Sequence, residues 1–159
     1  CCGRLDDPAT GISLCLGSTN AIEKSKKLIK KYRRMIGNYM RWLEEDPANI
    51  RKDENARYIV AGSKIHENII GTIISIYYRS SNSPVPVIGM ANSELGVKIS
   101  GRCSGDININ EIVSKAARFV GGDGGGHKQA AGATIPRGKE EEFIEECNNL
   151  LKLNVSKDL

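Results

Sequence analysis

The pattern of apolar and polar positions divides the chain into one long amphipathic segment and a series of shorter elements. From residue 20 to about 46, Ile22, Ile29, Tyr32, Ile36, Tyr39 and Leu43 recur at three-, four- and seven-residue steps, which puts them on one face of a helix. Leu28, Met35 and Trp42 widen that stripe. Asn20 with Glu23 three residues later predicts a capping box, and Pro47 predicts the stop. Residues 47–54 are polar and predict a linker. Residues 57–61 form a β-rich run ending at Gly62. From Ile69 to Tyr77, β-branched residues recur at helical period, and length and period favour a helix. Residues 85–91 and 97–100 predict two strands joined by a turn at Asn92 and Ser93. Pro84 and Pro86 imply that the first of these strands starts late or lies near an edge.

Asn108 with Glu111 predicts a second capping box, opening an amphipathic helix that carries Ile112, Ala116, Ala117, Phe119 and Val120 on one face. The glycine-rich run 121–126 predicts a loop, residues 130–135 a strand, and residues 139–151 a helix with Phe143, Ile144, Cys147, Leu150 and Leu151 on one face. Residues 154–159 read as a loose tail. After the first helix the order is β-α-β-β-α-β-α. The expected fold class is α/β (α+β): a mixed β-sheet flanked by helices, preceded by a long connector helix.

Composition narrows the picture. A length of 159 residues suits one domain plus an appended element. With aromatics at 5%, the core must rest on Ile, Leu, Val and Ala. No run approaches the roughly 20 apolar residues a membrane helix needs, so no membrane association is expected. The five cysteines are odd in number and include no C-x-x-C pair, which argues against a disulfide framework and a zinc site and favours a reducing, cytoplasmic compartment. The first residue is not Met, and residues 1–16 read as the end of a folded unit, so the chain is expected to be a piece of a longer protein. The net charge of +4 is unevenly spread. Eight Lys or Arg lie between Lys24 and Arg41 with no acid among them, whereas Glu140, Glu141, Glu142 and Glu146 make the far end acidic. The basic segment fits a phosphate-backbone surface and equally a solvated helix face. Tyr39 and Trp42 could stack bases, but their spacing favours packing.

The densest candidate chemistry is the run Gly124-Gly125-Gly126-His127-Lys128-Gln129-Ala130-Ala131-Gly132. Each glycine adds backbone entropy that folding must remove, so a purely structural loop seldom uses so many. Glycine also lets a backbone approach a ligand closely, and its N–H groups can form a concavity for an anion. A histidine beside such a loop can donate to a phosphate oxygen or move a proton. The run lacks Gly-Lys-Ser/Thr. It also follows a helix and precedes a strand, the reverse of the P-loop and dinucleotide fingerprints. A glycine linker is the structural alternative.

A glycine triplet, a His, a short spacer and Ala-Ala-Gly resembles the signature of the DHH-associated C-terminal domain. Upstream, Ile99-Ser100-Gly101-Arg102-Cys103-Ser104 resembles that domain's Arg- and Ser-bearing turn, with Cys103 standing where Ser is common. Cys2-Gly3-Arg4-Leu5 is similar to the motif that ends the catalytic domain of RecJ-like members, and Pro8, Gly11 and residues 14–17 are similar to its archaeal branch. On this resemblance residues 1–19 are the end of a catalytic DHH domain, 20–53 a basic connector and linker, and 54–153 the DHH-associated substrate-binding domain.

The resemblance implies the substrate-binding part of a single-strand-specific exonuclease whose metal-dependent phosphodiester hydrolysis belongs to the whole protein. It implies His127 as the catalytic histidine. Arg4, Arg102, Ser104, Gly124, Gly125, Gly126, Lys128 and Gly132 follow as substrate-binding residues. It places Mn2+ or Mg2+ in the catalytic domain and none in this chain, whose two histidines, His66 and His127, lack ligand spacing. The chain alone is therefore expected not to hydrolyse DNA. Expected partners are single-stranded DNA or RNA and the chain's own DHH catalytic domain. The replication factor GINS, with which archaeal members associate, is a further candidate. Nano-RNases, phosphoadenosine-phosphate phosphatases and cyclic-dinucleotide phosphodiesterases use the same domain and form the alternative, as does a module that docks a replication partner.

Overall fold

The computed structural model describes residues 1–155 and divides into two compact units, Cys1–Glu45 and a second that begins at Asp46. Residues 156–159 lie outside the described residues, as does most of the expected loose tail. Its first two positions are instead the end of a helix.

The first unit holds a 3-10 turn, Gly3–Leu5, and two helices, α1 (Pro8–Cys15) and α2 (Thr19–Glu45). Asp7 caps α1 by accepting from the Thr10 amide at 3.1 Å, and Pro8 fills the first helical position, where a missing N–H costs nothing. The expected Asn20–Glu23 box does not form. α2 starts at Thr19, so Asn20 already lies in its first turn, and Glu23 pairs with Lys26 at 2.7 Å. Along the apolar stripe of α2, Leu43 is buried and Tyr32, Ile36 and Tyr39 are half-buried, while Ile22 and Ile29 remain exposed.

The second unit is a six-stranded sheet in the order β1-β2-β3-β4-β6-β5. The strands are β1 (Arg51–Lys52), β2 (Arg57–Gly62), β3 (Val87–Ser93), β4 (Gly96–Arg102), β5 (Asp123–His127) and β6 (Ala130–Ile135). Among the described strands only β2 and β3 run parallel, joined by the crossover helix α3 (Glu67–Ser80). The other neighbours are antiparallel. α4 (Ile109–Phe119) and α5 (Glu140–Val155) complete the unit.

The sheet is helix-covered on both faces, but unequally. α3 lies over β3 and β4, with Ile69, Ile70, Ile73 and Ile74 fully buried and Ile74 seated against Gly89. On the opposite face Tyr58, Ile88, Met90, Ile99, Ala131 and Ala133 join Ile112, Val113 and Ala117 of α4 and Phe143, Ile144 and Cys147 of α5 in one apolar cluster. Tyr58 is buried yet satisfied: its hydroxyl donates to Asn148 Oδ1 at 2.8 Å, and Asn148 Nδ2 donates to Asp53 at 2.8 Å.

Several expectations change. The residues read as a linker include the short edge strand β1, paired to β2. β3 begins late, after Pro86, but is central in the sheet and not an edge. The β3–β4 turn is Glu94-Leu95, because Ser93 pairs with Gly96. Phe119 is exposed at the end of α4. The largest change concerns the glycine run. It is no loop: residues 123–127 form the edge strand β5, paired throughout with β6. Glycine carries no side-chain alternation from which a strand can be read.

Candidate functional site

Alternation along β4 puts Lys98, Ser100 and Arg102 on one face and Val97, Ile99 and Gly101 on the other. Across the antiparallel pairs, residues directly opposite share a face. Three parallel rows therefore cross β4, β6 and β5 on the α3 side. The first is Arg102–Ala130–His127, the second Ser100–Gly132–Gly125, and the third Lys98–Thr134–Asp123. Arg102 and His127 stand two strands apart, about 10 Å between backbones. α3 covers only the β4 end of these rows, so over β6 and β5 the face is open. The middle row has no side chain on β6 or β5. The result is a short trough floored by Gly132 and Gly125, with Lys98, Asp123 and Thr134 lining an open hollow of about 450 Å³.

The glycines divide by face. Gly124 and Gly126 point toward α4. A Cβ on Gly124 would stand 2.7 Å from the Ala133 Cβ, and one on Gly126 would strike the backbone of Ala130 and Ala131, at a φ of +153°. Those two glycines let β5 close onto β6. Gly125 and Gly132 point into the trough. A Cβ at Gly125 would meet nothing within 4 Å, and one at Gly132 would make only an ordinary contact of 3.5 Å. Packing does not require either of them to be bare.

Arg102 is held rather than loose. Its Nε donates to Ser75 Oγ at 2.9 Å, and its Nη1 donates to Gly101 O at 2.7 Å and Ser100 Oγ at 3.2 Å. Ser75 in turn donates to the Gly71 carbonyl at 2.7 Å. Gly71, one turn earlier on α3, leaves room for the Ser100 hydroxyl, since a Cβ there would lie 3.1 Å from its Oγ. Ser104 is exposed, and its Oγ accepts from Tyr78 Oη at 2.6 Å, which leaves the serine hydrogen for another acceptor. Cys103 between them is buried, its thiol donating to Ile107 O and Lys128 O at 3.3 and 3.4 Å. It thereby ties the β4–α4 loop to the β5–β6 turn at Lys128-Gln129. Lys128 is exposed and pairs with Asp106 at 3.5 Å. His127 is exposed at the end of β5.

The fold thus brings Arg102, His127, Gly125 and Gly132 onto one open face, with Ser104 and Lys128 on the adjoining turns. Gly124 and Gly126 turn toward α4 instead. Arg4 lies in the first unit, exposed in the turn Gly3–Leu5. His66 caps α3, its Nδ1 accepting from the Asn68 amide at 3.2 Å. Lys98 and Ser75 were missed. Lys98 was legible, four residues before Arg102 at strand period. Ser75 was not, because nothing in a helix sequence says which strand residue it will meet.

Chemically, the face offers a guanidinium, an ammonium, an imidazole and bare backbone to an anion. Asp123, 3.8 Å from Arg118, sets a carboxylate at the far end. No three His, Cys, Asp or Glu side chains among the described residues cluster as metal ligands. The described residues present no ligand set for the Mn2+ or Mg2+ that the resemblance implies.

Residues 55–153 match the DHHA1 domain. An uncharacterised protein of Methanocaldococcus jannaschii is 29% identical over 147 residues, 90% of this chain and 31% of that protein. The chain thus spans about a third of the length of this curated relative. Among solved structures, RecJ in complex with Mg2+ from Thermus thermophilus matches with a TM-score of 0.78 at 17% identity, over 95% of this chain and 24% of that one. The pGpG-specific phosphodiesterase PggH of Vibrio cholerae matches with a TM-score of 0.56 at 14% identity, over 80% and 42%. At such identities the likeness establishes the fold. With a fold shared with RecJ and a sequence match over most of its length, the chain belongs to the DHHA1 domain family, the DHH-associated domain.

Proposed function

We propose that this chain is the substrate-binding part of a RecJ-like single-strand-specific exonuclease, and that the trough across β4, β6 and β5 receives a nucleotide phosphate. Arg102 offers its fixed guanidinium charge to the phosphate, Ser104 adds a hydroxyl, and Gly125 and Gly132 let the phosphate or sugar approach the backbone. Lys98 and Lys128 add positive potential. Gly124 and Gly126 serve indirectly by seating β5. His127 acts on the phosphate undergoing cleavage in the full-length protein, and Arg4 is a substrate contact of the first unit. The metal that generates hydroxide for such a hydrolysis belongs to the catalytic domain.

One observation carries this reading. Of the four glycines on β5 and β6, the two whose bareness packing does not demand, Gly125 and Gly132, are the two that floor the open face between Arg102, His127 and Lys98.

The trough is only about three strands across, on the order of 10 Å. That length suits one or two nucleotides and supports the short-substrate alternative, a phosphodiesterase acting on oligonucleotides of a few residues. Fluorescence anisotropy with a 5′-phosphorylated dinucleotide and a single-stranded 20-mer tests both. Arg102→Ala and Gly132→Val, each folded by circular dichroism, should weaken both ligands at least tenfold. Unchanged affinity in both variants would remove the trough from the substrate path. A wild-type chain that binds the dinucleotide as tightly as the 20-mer favours the short-substrate enzyme. In the full-length enzyme, His127→Ala should lower kcat more than it weakens substrate binding, and equal losses would deny it a role in the transition state.

A further inference from the structure

Helix α2, in the first unit, carries a second cationic feature. Lys27, Lys30, Lys31 and Arg34 fall at positions i, i+3, i+4 and i+7, on one side of the helix. All four are exposed and line one open hollow. Lys24 and Lys26, by contrast, are neutralised by Asp7 and Glu23 at 2.8 and 2.7 Å. None of the four forms an ion pair among the described residues, and the sequence from Lys24 to Arg41 contains no acid. Lys27–Lys30, Lys27–Lys31, Lys30–Arg34 and Lys31–Arg34 are like-charged pairs at spacings where opposite charges would support the helix. A face meant only for solubility gains more from mixed signs. Four adjacent cations held in register, at a cost to the helix, fit a polyanion that neutralises them.

We infer that this row is a track for the sugar–phosphate backbone of a single-stranded nucleic acid. The row extends about 10 Å along the helix, comparable to three nucleotides of a strand stacked at the duplex spacing of about 3.4 Å per phosphate. Lysines contact phosphates as mobile point charges without reading bases, so the track is indifferent to sequence. It rests on the reading that the ligand is a nucleic acid, and adds that a strand longer than the trough can hold is engaged at this separate surface.

The test compares the wild-type chain with a quadruple variant, Lys27→Gln, Lys30→Gln, Lys31→Gln and Arg34→Gln. Gln preserves helix propensity, and circular dichroism verifies the helix. Binding of a single-stranded 20-mer is measured between 50 and 200 mM salt. Three phosphate contacts on a single strand contribute a log–log salt slope of about 2. The wild type should therefore lose roughly 10- to 50-fold more affinity over that range than the variant. Dinucleotide binding should be the same in both. A salt slope unchanged in the variant overturns the track and leaves the trough standing. Loss of dinucleotide binding in the variant also overturns it as a separate surface. Equal, row-dependent binding of vesicles rich in phosphatidylserine would reassign the row to membranes and overturn it. Failure of the wild type to bind any oligonucleotide would remove the trough and the track together.

Discussion

Arg102 and Ser75 join the sheet to its crossover helix: the Nε of the arginine donates to the serine hydroxyl at 2.9 Å. Two further bonds, to Gly101 O and Ser100 Oγ, occupy Nη1. The side chain loses its rotamer freedom before any ligand arrives, so a bound anion does not have to provide that ordering.

Ser75→Ala removes this brace without touching the charge. A side-chain hydrogen bond contributes about 0.5–1.5 kcal/mol net, and the same order should appear in binding. Dinucleotide affinity is expected to fall about 2- to 10-fold by anisotropy titration. Arg102→Lys keeps the charge but abandons the planar fork, so it should cost more than Ser75→Ala. If the lysine variant binds as well as wild type, Arg102 supplies only potential and the brace has no consequence.

The glycines of β5 and β6 should separate by face. Gly124→Ala and Gly126→Ala force a side chain into Ala133 or the β6 backbone, and overpacking of this kind costs about 1–3 kcal/mol. Gly125→Ala has open space before it and should leave stability within about 1 kcal/mol, or raise it, while weakening nucleotide binding. Urea unfolding read beside anisotropy measures both. A loss of binding that simply follows stability across the variants would make all three glycines structural.

This division explains what the sequence could and could not reveal. Asn108 was readable as a cap because capping is settled within one turn, and its side chain does accept from the Glu111 amide, at 3.4 Å. α3 was readable because Ile69, Ile70, Ile73 and Ile74 keep helical period even though each is β-branched. The glycine–histidine run was recognisable as a site but not as a strand, because pairing of β5 with β6 is made by backbone groups that leave no mark on residue type. The rows linking His127 to Arg102, and Gly125 to Gly132, depend on register. Register appears only once the Lys128-Gln129 turn has fixed it.

The five cysteines should react in two classes. Cys1 and Cys15 are exposed and Cys2 half-buried, whereas Cys103 and Cys147 are buried. Burial raises the thiol pKa of Cys147, with Glu146 adding to it, and burial likewise raises Cys103. Because the folded chain favours the protonated thiols, their contribution to stability is complete below about pH 9. It is lost as pH rises beyond the ordinary thiol value. Iodoacetamide at pH 8, read by mass spectrometry of peptides, should modify Cys1, Cys2 and Cys15 and spare Cys103 and Cys147 until urea is added. Labelling of Cys103 in the native chain would mean that the loop it ties to Lys128 opens readily, and that the trough's end is not fixed.

Asp7 gives the first unit an acid-sensitive joint. Its carboxylate accepts from Lys24 Nζ at 2.8 Å and from the Thr10 hydroxyl at 2.8 Å, besides capping α1. The Lys24 contact, followed by those to Thr10, holds its pKa below the ordinary value of 3.8. A depressed carboxylate stabilises the folded form fully above the unfolded value and loses that contribution as pH falls through the folded one. The pairing of α1 with α2 should therefore be unaffected from pH 7 down to about 5 and weaken only below the usual carboxylate range. The Thr10 amide shift, followed by NMR through an acid titration, reports it directly. Asp7→Asn keeps the capping oxygen but cannot titrate, so it should flatten the Thr10 response while retaining α1. A Thr10 amide that moves at the ordinary carboxylate pKa would show that Lys24 does not hold Asp7 in solution.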